Sequence, residues 1–432
     1  MPPRIAVLGT GTMGAGIAQM AAQSGHEVLM YDVQDAFVER GLSNIKAALQ
    51  SRVDKGKLEQ AEMDAALGRI TTTTSRNDAA PFDLIIEAAP EDLALKREIF
   101  SSLDSISPLT TILATNTSSL SVTSIAGATS NPERVVGMHF FNPAPVMTLV
   151  EVVAGSRTSS DVVQTVADIA RNLGKTPVRT ADMPGFIVNR VARPFYGEAL
   201  KIVTEGSATI TQVDAAMLSA GFRMGPFELM DLIGIDINFA VSKSVYEAFF
   251  GEPRYRPSPI QQRLVEGGTL GRKSGRGFYM YDNEQKGEPA YISTPSFPHK
   301  RTASFVPGEI TSAFIQNSGI SPAEDDPGSA EIIARILAMI INEAAFAVGE
   351  EVASVRDVDI AMRLGTNYPK GPLKWADEIG LETVYAVLHG LRETLGEERY
   401  RPAPLLWHLV QSGLTGDAVG GGFHHPGEKG MV

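Results

Sequence analysis

The chain repeats itself, and the repeat limits what more than half of it can become. Arg254-Tyr255-Arg256-Pro257 returns as Arg399-Tyr400-Arg401-Pro402, Gly277-Phe278 as Gly422-Phe423 and Gly271 as Gly416, all 145 residues later. Gly225-Pro226, Asp231 and Gly234 return as Gly371-Pro372, Asp377 and Gly380 at an offset of 146, and Asp214 matches Asp359. A one-residue insertion, undone by a one-residue deletion before Arg399, explains the change of offset. So many matches in one register describe a duplicated unit, whose second copy must take the fold of the first and bury a matching apolar face. The pattern of the first copy is helical: FIVNRVARPFYGEALKIV, ITQVDAAMLSAG, GPFELMDLIG and INFAVSKSVYEAFF. We therefore expect a helical domain over 183–282 and its second copy over 329–432. Residues 283–328, rich in Pro, Ser and Gly, read as a linker with little core of its own.

The differences between the copies are informative. The counterparts of Asn189, Pro184 and Lys273 are Ala334, Ser329 and Ala418. A site built on those residues is absent from the second copy, which keeps the hydrophobic pattern and is expected to serve packing.

The first 182 residues have a different grammar. An apolar run at 4–8 leads directly into Gly9-Thr10-Gly11-Thr12-Met13-Gly14, then a helix-like stretch to Gly25, then EVLMYD ending at Asp32. Strand, G-x-G-x-x-G, helix, strand and acid at this spacing form a dinucleotide-binding βαβ unit. Gly9 permits the turn, Gly11 lets a pyrophosphate approach, and Gly14 lets the helix pack on the strand. Asp32 suits the two ribose hydroxyls and repels a 2′-phosphate. No arginine follows it, so NAD is expected rather than NADP. Apolar runs at 69–74, 83–90, 111–120, 134–143 and 149–155 extend the parallel sheet. Polar clusters stand at their ends, where ligands of such sheets gather: Glu91, then Asn116-Thr117-Ser118, then His139 to Asn142. Lys96 follows Glu91 and reads by itself as a surface lysine. Between the second and third strands a helical hairpin carries Ser51, Arg52, Lys55 and Lys57, a small basic patch.

That patch stands out because the formal net charge is -12, which excludes nucleic acid or an anionic membrane as the main partner. With no cysteine, disulfides, thiolate catalysis and thiolate-bound metals are excluded. No signal segment or uninterrupted membrane-length apolar run is read, so a cytoplasmic location is expected. No metal site is expected either; the His424-His425 pair reads as part of a tail.

Residues 137–151, GMHFFNPAPVMTLVE, place a histidine and a glutamate twelve positions apart in an apolar setting. They can meet only if neighbouring strands bring them to one cleft. His139 with a carboxylate partner would be a proton-transfer unit, since Glu151 would fix the tautomer and stabilise the imidazolium.

Together GTGTMGAGIA, IIEAAPEDLALK, NTSSL, GMHFFNPAPVMTLVEVV, PGFIVNR, GPFELMDLIG and GRKSGRGFY resemble the 3-hydroxyacyl-CoA dehydrogenases of the beta-oxidation type, nearly continuously over residues 4–282. The resemblance implies a Rossmann-type, mostly parallel α/β domain followed by two all-α domains related by duplication. It implies oxidation of an L-3-hydroxyacyl-CoA with NAD, with His139 as general base and Glu151 orienting it. Ser118 and Asn189 would bind substrate around the reacting carbon, and Glu91, Lys96, Asn142 and Lys273 would contact NAD. The patch from Ser51 to Lys57 would touch the CoA. Single-copy relatives dimerise through the helical domain, so an internal pseudo-dimer is expected here, and a homodimer of the whole chain stays open. Two rival readings also remain at this point: a dehydrogenase of free hydroxy acids of the gulonate or carnitine type, and a non-catalytic NAD-binding sensor.

Overall fold

A computed structural model describes residues 2–283, 285–291, 306–322 and 328–424. The chain divides into two compact units, Met1–Phe186 and Ile187–Val432. The first break therefore falls four residues beyond the expected Asp182.

In chain order the first unit is β1 (Ile5–Leu8), α1 (Thr12–Gln23), β2 (Val28–Tyr31), α2 (Asp35–Asp54), α3 (Gln60–Leu67), β3 (Ile70–Thr73), β4 (Leu84–Glu87), α4 (Leu93–Ile106), β5 (Ile112–Thr115), α5 (Val122–Ala126), β6 (Val135–Phe140), β7 (Leu149–Ala154), α6 (Ser160–Asn172) and β8 (Thr176–Ala181). One sheet holds all eight strands in the order β3-β2-β1-β4-β5-β6-β7-β8. The residues of β1, β2, β4 and β5 are all buried, as a sheet covered on both faces requires. Alternation along each strand feeds two cores. Ile5, Val7, Leu84 and Ile86 enter one of them. Ala6, Leu8, Ile85 and Leu113 enter the other.

The sheet is mostly parallel, as expected, and two features refine the reading of its later strands. β7 runs antiparallel to β6. The intervening residues 141–148 are too few for the crossover of a dozen or more that a parallel neighbour needs. Beyond the runs read from the sequence, KTPVRTA at 175–181 supplies β8, parallel to β7 and closing that edge. Its alternation is masked because Thr176, Pro177 and Ala181 are only half-buried.

The second unit is helical. Its first copy comprises α7 (Val188–Val191), α8 (Arg193–Thr204), α9 (Ile210–Ser219), α10 (Pro226–Ile233), α11 (Ile235–Ala248) and α12 (Pro259–Glu266), followed by a hairpin of β9 (Tyr279–Asp282) and β10 (Gln285–Pro289). The expected linker is not all linker. α13 (Gly308–Ser318) buries Thr311, Phe314, Ile315 and Ser318, one face at spacings of three and four. The turn-forming residues around it hide that short apolar stripe in a composition-based reading. The second copy is α14 (Ser329–Gly349), α15 (Val355–Thr366), α16 (Pro372–Ile379), α17 (Leu381–Leu395) and α18 (Pro404–Gln411); the unbroken α14 stands in for α7 and α8 together, and α15 to α18 match α9 to α12 one for one. By length and hydropathy α14 could cross a membrane, yet 89% of its apolar window is buried inside the protein. It is the central helix of this unit, and its Glu331, Arg335, Asn342 and Glu343 interrupt the apolar run.

The repeated residues explain themselves in pairs. Asp214 accepts from the Phe227 and Glu228 N–H groups at the start of α10, and Asp359 from Leu373 and Lys374 at the start of α16. Asp231 accepts from Phe278 and Tyr279, and Asp377 from Phe423 and His424. Gly277 and Gly422 recur because a Cβ there would lie 1.9 and 2.0 Å from those aspartates.

The copies grip each other reciprocally. Buried Glu343 of the second receives Arg190 Nε at 2.7 Å, Arg254 Nη1 at 2.8 Å and the Tyr255 hydroxyl from the first. Glu198 of the first receives Arg335, Arg399 Nη2 at 2.9 Å and the Tyr400 hydroxyl at 2.7 Å from the second. Outer partners repeat as well: Arg190 meets Glu350 at 2.8 Å, and Arg335 meets Glu205 at 2.9 Å. Residue i touching j while the counterpart of j touches the counterpart of i is the signature of a two-fold interface. Here it is written into one chain.

Candidate active site

The antiparallel turn of the sheet makes the centre of the site. β6 ends and β7 begins at the same edge, so His139 and Glu151 become direct cross-strand partners. His139 Nδ1 lies 2.7 Å from Glu151 Oε2, with the histidine 6% and the glutamate 0% exposed. The imidazole lies between Phe141, 4.5 Å between ring centroids, and Phe186 at 5.9 Å. Because Glu151 takes Nδ1, the ring can exchange protons with a ligand only at Nε2.

The neighbouring strand ends are tied together by two acids, Glu91 and one that the sequence reading passed over, Glu87. Glu87, the last residue of β4, is fully buried and bonded to Lys96 Nζ at 2.6 Å and to Thr115 Oγ1 at 2.7 Å. A lone acid closing the apolar run LIIE was the available signal. Asn116 Oδ1 accepts from the Phe140 N–H at 2.8 Å, pinning the end of β5 beside His139. Glu91 accepts from Thr117 Oγ1 at 2.6 Å and from the Ser118 and Ser119 N–H groups at 3.0 and 3.2 Å. Burial opposes its charge, but these bonds and the Lys96 ammonium hold its carboxyl below the ordinary value. Glu91 thus shapes the loop that carries half-buried Ser118. Lys96 corrects its reading as a surface lysine: it is 1% exposed, with its ammonium on Glu87, the Ala89 carbonyl and Glu91 at 3.4 Å. Asn142 is exposed just past β6.

At the same edge of the sheet, past the end of β1 and beside β4, the glycine turn fits a dinucleotide. Gly9 has φ +97°, and a Cβ on Gly14 would lie 1.8 Å from the Gly9 carbonyl oxygen, so both are demanded by the chain's own packing. A Cβ on Gly11 would meet nothing within 4 Å. α1, which starts at Thr12 and Met13, has no side-chain cap, leaving its first N–H groups available to a phosphate. Asp32 is held in place by the Thr10 N–H and hydroxyl at 2.8 and 2.9 Å and by the Val33 N–H at 2.8 Å.

In the helical unit Asn189 is half-buried in α7. Lys273 is paired with Asp236 at 2.6 Å. Arg52 lies in the last turn of α2, Ser51 is half-buried beside it, and Lys55 and Lys57 follow in an exposed turn. His424, read as tail, is buried between Asp377 at 2.8 Å and Asp359 at 3.3 Å, while His425 lies outside the described residues. Among the described residues no cluster suits a metal ion.

Known proteins match this architecture along its length. The family model described as "3-hydroxyacyl-CoA dehydrogenase, NAD binding domain" matches residues 4–183, and "3-hydroxyacyl-CoA dehydrogenase, C-terminal domain" matches 185–281 and again 332–425. The 3-hydroxyadipyl-CoA dehydrogenase of Escherichia coli K12 is 42% identical, covering 95% of this chain and 98% of the relative. A probable 3-hydroxybutyryl-CoA dehydrogenase of Bacillus subtilis is 44% identical and is 98% covered by 65% of this chain. The crystal structure of a 3-hydroxybutyryl-CoA dehydrogenase from Escherichia coli K12 superposes with a TM-score of 0.84 at 41% identity, covering 96% of this chain and 99% of the other. The chain is an NAD-dependent oxidoreductase belonging to the 3-hydroxyacyl-CoA dehydrogenase family.

Proposed function

We propose that the chain interconverts an L-3-hydroxyacyl-CoA and its 3-oxoacyl-CoA, with His139 as the acid–base group. The buried 2.7 Å contact between His139 Nδ1 and Glu151 carries this reading. Bound NAD supplies the hydride acceptor. His139 Nε2 takes the proton of the 3-hydroxyl as the carbonyl forms, and returns it in the reverse direction. Glu151 keeps the proton on Nδ1 and stabilises the imidazolium, while Phe141 and Phe186 limit water around the ring. Ser118 and Asn189 are assigned to the substrate oxygen. Gly9, Gly11, Thr12, Met13, Gly14, Asp32, Glu91, Asn142 and Lys273 are assigned to NAD, with Lys96 acting through Glu91. Ser51, Arg52, Lys55 and Lys57 are assigned to the CoA.

The test is oxidation of NADH with acetoacetyl-CoA, followed at 340 nm. Turnover is expected, and His139→Ala should lose about 10²–10⁴-fold in kcat while NADH affinity stays within a small factor. Unchanged kcat in that variant would remove His139 from the mechanism. Activity with free hydroxy acids only, or tight NAD binding without turnover, would replace the thioester reading. Three domains are proposed, 1–182, 183–282 and 329–432, with a connecting segment over 283–328 and with the two helical domains forming an internal pseudo-dimer in a cytoplasmic enzyme. Sedimentation of the full chain decides whether it also forms a homodimer.

A further inference from the structure

Arg193 is the anomaly of the helical unit. It is 8% exposed and opens α8, yet no carboxylate lies within ion-pair distance of it among the described residues. Its contacts are neutral: Nε donates to the Asn189 carbonyl at 2.8 Å and Nη1 to Ser242 Oγ at 3.2 Å, and the guanidinium lies 5.1 Å from the Tyr196 ring centroid. The other buried arginines of the unit, Arg190, Arg254, Arg335 and Arg399, each meet a glutamate. A helix N-terminus adds partial positive charge to a cation already deprived of water. Burial accordingly pulls the Arg193 proton affinity below the usual guanidinium value.

The second copy shows that the fold does not need this cation. The counterpart of Arg193 is Ala338, inside the unbroken α14 that takes the place of α7 and α8. Its polar neighbours change with it: Tyr196 to Ile341, Asn238 to Val384, Ser242 to Leu388 and Gln261 to Leu406, all buried. The whole set turns apolar where Asn189 has become Ala334. An unpaired buried arginine kept only beside Asn189 calls for an anion on the ligand.

Spacing indicates which anion. Arg193 follows Asn189 by four residues, so their Cβ atoms are neighbours about 5–6 Å apart. In an acyl chain whose third carbon reacts near Asn189, a carboxyl group at the sixth carbon is three C–C bonds of about 1.5 Å away. Resting on the thioester-dehydrogenase reading, we infer that Arg193 is the specificity-determining residue. It pairs with a free carboxylate at the far end of the acyl chain, so the preferred substrate is the CoA thioester of a short dicarboxylic 3-hydroxy acid.

The test compares six-carbon 3-oxoacyl-CoA substrates ending in carboxylate, amide or methyl, alongside acetoacetyl-CoA, with the full chain and NADH. The carboxylate substrate should exceed the amide in kcat/KM by about 100-fold, and Arg193→Met should reduce that ratio to about threefold or less, with Arg193→Lys between. The comparison within the unmodified chain stands even where a variant fails to fold. Turnover of all four without preference for the carboxylate overturns this inference alone. So does an Arg193→Met that lowers every substrate by one common factor, since Arg193 would then merely hold the Asn189 carbonyl. Turnover of none overturns the dehydrogenase reading and this inference with it.

Discussion

At the position of Tyr279 the second copy carries His424, and one side chain changes the electrostatics of a buried corner. Tyr279 donates a neutral hydroxyl to Asp214 at 2.8 Å. His424 instead bridges Asp359 and Asp377, and its bonds to the two carboxylates raise its pKa to about 9. In the unfolded chain it titrates near 6.5. The stabilisation is therefore complete below about pH 6.5 and disappears as pH rises through about 9. Differential scanning calorimetry should show the melting temperature of the native chain falling roughly 5 °C more between pH 7 and 10 than that of His424→Tyr. Parallel pH profiles would deny His424 this role. The sequence held the clue in the 145-residue register, but adjacency to His425 near the chain end made the pair look like a tail. At the His139–Glu151 pair, Glu151→Gln keeps the shape and removes the charge. Its kcat should fall about 10²–10⁴-fold with NADH affinity nearly intact, and kcat close to native would mean that Glu151 only packs. His139 and Glu151 were legible as types at a spacing. Their union depended on β7 turning antiparallel, which follows from the eight-residue connection and not from the residues themselves.

Among the elements, the reciprocal clasps of α7 and α8 with α14 dominate. Removing one partner of a buried ion cluster leaves the remaining charges stranded, at about 3–5 kcal/mol. Glu343→Gln and Glu198→Gln should therefore each lower stability by an amount near that range, and by similar amounts, in urea unfolding followed by circular dichroism. A large inequality would mean that the two clasps are not equivalent in energy. No local reading could find them, because Arg190 and Glu343 are 153 residues apart. The sequence displayed helices, the glycine turn and the doubled Asp–Gly pairs because each rests on neighbours or on a repeated register. β8 and α13 escaped because short, half-polar strands and helices gain their stability from tertiary burial, which composition does not record.

The whole molecule has one helical copy bearing Asn189, Arg193 and Lys273 and another that keeps the packing residues alone. Deleting 329–432 would strip α8 of its partner and leave Glu198 and Arg190 without counter-charges. Size-exclusion chromatography with light scattering should show the truncated chain aggregated or newly dimeric. A stable, active monomer would contradict the pseudo-dimer. The reciprocal clasps have one further consequence. Where two identical chains meet across a two-fold axis, every substitution is made on both sides at once, and a harmful change strikes twice. Here the Arg190–Glu343 and Arg335–Glu198 contacts are encoded separately, so mutation reaches them one at a time. Each half is free to drift while the other holds. Matching cavities of about 420 Å³, lined by Lys201 and Thr204, and about 440 Å³, lined by Phe346 and Gly349, have already diverged in this way. For a protein engineer the helical unit offers a two-fold interface whose two sides can be edited independently.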